Sequence, residues 1–314
     1  MTMKPTLLHH AAYRIYRLRR LISVSVLVVV LGAALSLAIS PVNNLFHQPL
    51  NLFLLMLVWG GIVSAAVVAF PGGWIDTLTA SVAFALLLLA TPYLQLAVMG
   101  APVVAGGISN HMAILLMTLA WFMVWLLVMA VFIWAGQNLP MGTRTHHSRV
   151  YCPATPDKVR RALCPLPDTT VAGRICGPEG PDGFFPVRYD ATAPSGESFA
   201  IARQSHSYRY RILHEDRLTR QSEATVRLDG RKSRSEIFER LEPIEGGTLY
   251  HLVEKHDHFN LLTAIGFWIN DFGADHALAY LDAAEGHPSL AIFNQRQRSP
   301  LSVLSRLFKT TGTP

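Results

Sequence analysis

Histidines crowd one stretch of this chain and tyrosines another, and each spacing poses a chemical question. His256, Asp257 and His258 stand together, with His251 and Glu254 just before them and Asp271, Asp275 and His276 shortly after. Imidazoles and carboxylates converging across a strand–helix junction are the donor set of a zinc or iron site. The HxH spacing is common, though, and the same residues suit a solvated loop, so no metal and no cofactor is expected. His206, Tyr208 and Tyr210 alternate along a strand-like run. On a face lining a cavity their polar tips would orient a ligand, and a tyrosine there would polarise a carbonyl in cyclase-type chemistry. The same alternation describes core aromatics with internally satisfied hydroxyls, so no catalytic residue is assigned. His206, Tyr208, Tyr210, Phe267 and Phe272 form the expected ligand-binding set.

Other chemistry is thinly represented. Cys152, Cys164 and Cys176 are the only cysteines. Their odd number and the lack of a CxxC pair point to neither a disulfide framework nor a thiolate zinc site, and a reduced compartment fits. Cys152 has no identifiable activating partner and reads as a small core residue. No phosphate loop or nucleophile elbow is present. Arg203, Arg209, Arg211, Arg217, Arg220 and Arg227 lie among acids, which predicts cross-strand ion pairs on a wet face.

The elements that must position these residues fall into two unlike halves. From Leu21 to Trp134 the only charged side chain is Asp76, a pattern that burial in lipid explains, since each charge at the centre of a membrane helix costs about 2.5–3.5 kcal/mol on insertion scales. Apolar runs at 21–39, 52–70, 78–98 and 113–133 are each near the roughly 20 residues that cross hydrocarbon. Pro92 and Gln95 blur the end of the third. The first run is longer than a signal-peptide core and is read as a retained span. No Asp, Glu, Lys or Arg lies within a span, which removes the usual marker of a proton or ion pathway. Gly32 with Ser36, and Gly60, Gly61 with Ser64, supply small faces for close helix packing, within the bundle or with a membrane-protein partner.

The sequence isoelectric point near 9.4 invites a nucleic-acid reading. Its distribution argues otherwise. Residues 1–20 hold Lys4, Arg14, Arg17, Arg19 and Arg20 and no acid, which is +5 of the net +6, and Asp76 leaves about +2 for the second half. No nucleic-acid partner is expected. The basic N-terminus reads as a topology signal and an anionic-lipid contact. Lys and Arg flank the apolar block at both ends and are missing from 40–51 and 99–112. With four spans this puts both termini and the second half on the cytoplasmic side of a bacterial inner membrane.

After a linker at 136–147, period-two patterning begins. A strand is predicted over 148–152, a helix over 157–163, strands over 184–190, 198–203, 205–213, 220–228, 233–241 and 248–255, and a long helix over 261–284. Asp229-Gly230 and Glu245-Gly246-Gly247 mark hairpin turns. The tail, 289–314, is a flexible or amphipathic segment, with Leu301, Leu304, Leu307 and Phe308 apolar. An antiparallel strand run with one apolar face must bury it, and the long helix is the natural cover.

The stretches SRVYCPATPDKVRRALC and FNLLTAIGFWINDFGADHALAYLDAAEG resemble the opening strand–helix and the closing helix of the START-like superfamily of polyketide cyclase/dehydrase and lipid-transport domains. The resemblance covers 148–288, under half of the chain. It implies an α+β helix-grip domain, a curved antiparallel sheet wrapped around a long C-terminal helix with an apolar cavity between, here following a four-helix transmembrane region. It implies no activity, because one fold hosts carriers, sensors and enzymes. The expected function is membrane-tethered binding of a lipid or hydrophobic small molecule. The alternatives are an assembly subunit of a membrane complex and a cyclase/dehydratase-like enzyme. A phosphatase active only outside the cytoplasm, fused after Pro288, is expected to be silent; strong activity would put the second half outside.

Overall fold

The computed structural model of the chain describes residues 6–40, 44–100, 110–189, 207–228 and 231–292. They divide into two compact units, residues 18–135 and residues 6–17 with 136–292. The expected strand at 198–203 and the tail beyond 292 lie outside the described residues.

The first unit is helical: α2 (Arg19–Ile39), α3 (Pro49–Ala69), α4 (Trp74–Gly100) and α5 (Asn110–Asn138), preceded in the chain by α1 (Leu7–Arg17) of the other unit. Pro49 starts α3, where its missing N–H costs nothing. Pro71 disfavours helical backbone at the residue before it, and α3 stops at Ala69. Three segments among the described residues are long and apolar enough to cross a membrane: Arg19–Ile39, Pro49–Ala69 and Thr118–Asn138, with mean hydropathies of 2.7, 2.5 and 2.2. Four were expected. The helix over the third expected span exists as α4, but the apolar segment described in it is the shorter Trp74–Ala90.

Helix α2 meets α4 through small residues. A Cβ on Gly32 would lie 2.7 Å from Ala85 Cβ and 2.8 Å from its Cα, and Ser25, Ala33, Ser36, Thr79, Ser81 and Ala83 are all buried. The hydroxyls of Thr79 and Ser81 bond to carbonyls of their own helix and also accept from the indoles of Trp125 (3.1 Å) and Trp59 (3.2 Å). Gly60 faces Val26 at 3.6 Å, Gly61 has open space around it and Ser64 is half-buried. Leu27, Leu31, Leu57, Val58 and Leu127 point outward and are exposed, a surface that lipid satisfies and water does not.

The second unit is built on β1 (Pro140–Cys152), α6 (Pro156–Leu163), β2 (Thr170–Val171), β3 (Arg174–Cys176), β4 (Phe185–Tyr189), β5 (Ser207–Glu215), β6 (Thr219–Leu228), β7 (Arg231–Ile244), β8 (Gly247–Asn260), α7 (Leu261–Asn270) and α8 (Phe272–Glu285). The strands form one eight-stranded antiparallel sheet in the order β1-β8-β7-β6-β5-β4-β3-β2, so the last strand lies beside the first. Val150, Cys152, Leu241, Tyr250 and Leu252 of the sheet pack with Val159 and Ala162 of α6 and with Ala274, Ala277 and Leu281 of α8. Gly246, at φ +79°, closes the β7–β8 turn, and Gly286, at φ +69°, ends α8.

Three expectations about this unit need correction. Residues 136–147, expected as a linker, are the end of α5 and the first half of β1, because β8 runs to Asn260 and offers those residues partners down to Pro140. The closing helix is two helices. They break at Asp271, which adopts the left-handed region (φ 48°, ψ 49°) that an aspartate tolerates. Neither Gly266 nor Gly273 makes that bend. Gly273 instead lets α8 approach β1, its absent Cβ leaving room for Ser148 Oγ. The N-terminus is more than a charge signal. Tyr13 Oη donates to Asp275 (2.7 Å), and Arg17 donates to Asp271 (2.9 Å) and to the Tyr13 hydroxyl (2.9 Å), docking α1 on the break and on α8.

Gly273→Val would force a branched side chain into a space where Cβ alone comes 2.5 Å from Ser148 Oγ. A loss of about 1–3 kcal/mol is expected, read as a lower midpoint for thermal unfolding of the sheet by circular dichroism.

Candidate functional site

Residues directly opposite each other in an antiparallel ladder project to the same face, so the register fixes what lines the side of the sheet that α8 covers. Tyr250 and Leu252 lie on that face, and with them go Glu254 and His256 of β8. Across the ladders come His146 opposite Glu254, Ser235 opposite His256, Glu239 opposite Leu252 and Arg220 opposite Glu239. This interior is more polar than a packed core requires.

One group of these residues forms a closed network. Arg220 is 2% exposed and donates to the carbonyl of Pro165, with Nε 3.9 Å from Glu239 Oε2 and its guanidinium 5.5 Å from the Tyr210 ring centre. Glu239 Oε1 accepts from Tyr250 Oη (2.6 Å) and Cys164 Sγ (3.4 Å), and the Tyr210 hydroxyl is bonded to Ser222 Oγ. Burial first, and Glu239 second, push both phenols far above the ordinary range and raise the Cys164 thiol. All three stay protonated near neutrality. Tyr250 and Cys164 donate to the buried Glu239 carboxylate and the Tyr210 hydroxyl is bonded to Ser222, so none of the three offers a phenolate or thiolate. Removing one partner of such a buried pair typically costs about 3–5 kcal/mol, because the other charge is left uncompensated.

The second group is a row of rings between the sheet and α7–α8. His256 stacks on Phe259 at 4.3 Å, Phe259 lies 4.9 Å from Phe267, and Phe267 lies 4.5 Å from Phe272. Phe272 stacks on His276 at 5.7 Å, and His276 meets Tyr280 at 4.6 Å. His146 joins from β1, 5.3 Å from Phe267. A bulge creates this row. Arg144 pairs with His256 but Gly142 pairs with Phe259, so β8 carries one extra residue there. The extra residue brings Phe259 onto the face of His256 and turns His258 outward, where its side chain is 64% exposed. The HxH spacing would put both imidazoles on one face of a regular strand and the bulge separates them; among the described residues no three His, Cys, Asp or Glu side chains converge to hold a metal.

Electrostatics make the imidazoles of this row neutral. Burial, then the neighbouring His146, pushes His256 down to about 4. Burial, then Arg174, pushes His276 down to about 3. His146 is lowered by burial, then by His147 and Arg144. His256 Nδ1 is bonded to Ser235 Oγ at 2.7 Å. Glu254, half-buried at the edge of the row, is pushed up to about 7 by burial and then by Glu239. The arrangement is an aromatic surface with neutral polar edges and one carboxyl poised near neutrality. Behind it, against α8, lies a cavity of about 30 Å³ bordered by Leu163, Tyr250, Leu252, Gly273, His276 and Tyr280. That is room for a water or two.

Of the residues singled out from sequence, Phe267 and Phe272 come together in the row. Tyr208 and Tyr210 belong to a separate cluster with Phe185, Val187 and Cys176, and His206 lies outside the described residues. Arg209 and Arg211 pair with Asp182 (2.6 Å) and Glu223 (2.7 Å), half-exposed at the surface. Arg220, grouped with them by composition, is interior. Its parity with Ala224 on β6 was the signal, as was that of Glu239 with Leu241 and of Glu254 with Leu252.

No family model and no curated protein matches the chain. Solved structures do, in its C-terminal half. The crystal structure of Ara h 8.0201 matches over 46% of this chain and 97% of its own, at 13% identity and a TM-score of 0.30. Protein CV1439 from Chromobacterium violaceum matches over 47% and 99%, at 17% identity and 0.31. The di-domain ARO/CYC protein BexL of the BE-7585A biosynthetic pathway matches over 53% and 58%, at 14% identity and 0.30. At such identities and scores, function is left to this chain's own residues.

Glu254 gives the site a pH signature. Its folded pKa lies above the unfolded value, so its contribution to stability is complete below about pH 4.5 and is lost as pH rises to about 7. His256 works the other way and loses its contribution as pH falls from 6.5 through about 4. Glu254→Gln is therefore expected to gain on the wild type between pH 4.5 and 7, by at most about 3 kcal/mol and by less to the extent that solvent reaches the carboxyl. Thermal midpoints of the two proteins across that range check it; parallel curves would mean an ordinary, solvated carboxylate.

Proposed function

We propose that the chain is a membrane-anchored protein that binds an apolar small molecule or lipid between the sheet and α7–α8, its soluble unit a helix-grip domain of the START-like kind. The observation that carries this reading is the row of rings on the inward face. His146, Phe259, Phe267, Phe272 and His276 are only half-buried where a finished core would bury them fully. The imidazole edges and Glu254 supply polar handles for one end of a largely apolar ligand. As it stands the cavity is about a tenth of the roughly 300 Å³ at which small-molecule sites begin. Binding therefore requires α7 and α8 to move from the sheet, and the chain break at Asp271 supplies the joint.

Four membrane crossings fit this reading better than three. Helix α1 precedes the first apolar helix and α8 follows the last, and they are bonded to each other through Tyr13–Asp275 and Arg17–Asp271. A chain that leaves and re-enters the same soluble unit crosses a bilayer an even number of times, which supports counting α4 as a crossing. The Lys and Arg bias then favours the cytoplasmic side of a bacterial inner membrane. The assembly-subunit alternative draws on Gly61, whose surroundings on α3 are open enough to seat a helix of another protein. The cyclase alternative draws nothing from Tyr210, whose hydroxyl is committed to Ser222.

Purification of the whole protein in mild detergent, followed by mass spectrometry of extracted small molecules, is expected to recover a specific apolar compound. Phe267→Asp, a charge in the middle of the row, is expected to lose that compound while keeping its strand content. Recovery of bulk lipid alone, in equal amounts from both proteins, would overturn the reading.

A further inference from the structure

Helix α1 is amphipathic the wrong way round for a surface helix. At 100° per residue, His10, Tyr13, Arg14 and Arg17 share one side, and Leu8, Ala12 and Ile15 share the opposite side, with Tyr16 at its border. A helix on a water-soluble protein turns its apolar side to the core and its polar side to solvent. Here the polar side is inward: Arg17 is 7% exposed, and it and Tyr13 are engaged with Asp271 and Asp275. The apolar side is outward, with Leu8 at 77%, Tyr16 at 61% and Ile15 at 40% exposure.

We infer that the outward side of α1 lies in the headgroup layer of the membrane that α2 enters, so that α1 is a strut with lipid on one face and the Asp271–Asp275 end of the α7–α8 pair on the other. Chain continuity identifies the occupant. Only Leu18 separates the end of α1 from the start of α2, a segment with mean hydropathy 2.7. A helix one residue from a hydrocarbon-crossing segment stands at the bilayer surface. Leu18 itself, at φ −94° and ψ 17°, separates the two helices. Tyr16 is the kind of ring that favours the interface, and the basic Arg19 and Arg20 begin α2 at headgroup level, where anionic lipid is complementary. An isolated helix of 11 residues is marginal in water; burial of both faces, one by acids and one by lipid, accounts for its presence. The inference does not depend on what the row of rings binds.

The consequence is positional. The break at Asp271 is held about one helix diameter, roughly 10 Å, from lipid, with Arg17 gripping the residue at which α7 and α8 would part.

The test uses the full chain in vesicles of phosphatidylcholine and phosphatidylglycerol. Leu8→Cys and Ile15→Cys replace exposed side chains, and the native Cys152, Cys164 and Cys176 are buried and will not compete for a spin label. Glu245→Cys, in the exposed β7–β8 turn, is the water control. Collision rates with oxygen, which partitions into lipid, and with a water-soluble nickel chelate are read at each site. The expected result is oxygen access above nickel access at positions 8 and 15, with nickel access severalfold below that at position 245. Nickel access equal to the control would overturn the inference, and so would low access to both reagents, which would mark a protein partner or a second copy on this face. Strand content and Arg17-dependent protection of α8 amides, unchanged in both labelled variants, would show that the unit remained folded.

Discussion

The pairing of β1 with β8 is the constraint on which the rest of the second unit depends. It joins the strand that follows the last apolar helix to the strand that precedes the closing helices, over a register running from Cys152–Thr248 to Pro140–Asn260. At its far end the Leu261 amide donates to the Leu139 carbonyl, fixing the point at which α7 begins. Along its length it sets His146 opposite Glu254, and its bulge places Phe259 with His256. Without this ladder the ring row would have no sheet beneath it and α7 no defined origin.

The interior resolves a conflict between packing and charge. A sheet gripping a helix needs an apolar face, yet Arg220, Glu239, Glu254 and two histidines lie on it. Near α6 the conflict is settled by pairing: Glu239 receives a phenol and a thiol, and Arg220 receives a carbonyl. Replacing such networks by apolar residues is often neutral for stability, so their presence favours one fixed arrangement of the sheet floor. Toward α7 the conflict is settled by neutralisation: imidazoles lose their protons and Glu254 holds its own more tightly. The first region is held by paired charge and hydrogen bonds. The second keeps polar edges that a guest could use.

Much of this was legible in the residues, and the failures have definite causes. Local signals sufficed for α6, with Pro156 at its first turn, for the β7–β8 turn at Gly246 and for the end of α8 at Gly286. What required a partner strand was not legible. The first half of β1 looks like a linker until β8 is set beside it, and the bulge that separates His256 from His258 is a property of two strands together. Asp271, where the closing helices break, is held by Arg17 from 254 residues earlier, a contact that no local window contains. Arg220 was misplaced for a simpler reason: composition grouped it with surface arginines, although its parity already pointed inward. The ring row was half-read, since Phe267 and Phe272 were named but the histidines were weighed only as metal ligands.

The clamp of α1 on α8 has a meaning for the order in which the protein is made. Tyr13 and Arg17 leave the ribosome more than 250 positions ahead of Asp271 and Asp275. Synthesis at about 5–20 residues per second separates them by tens of seconds at the slower rates. In that interval β1 is an unpaired strand edge, the kind of template that invites aggregation. Its polar outward residues, Thr145, His147 and Arg149, blunt that edge. The second unit closes last, when α8 is made and meets the waiting α1.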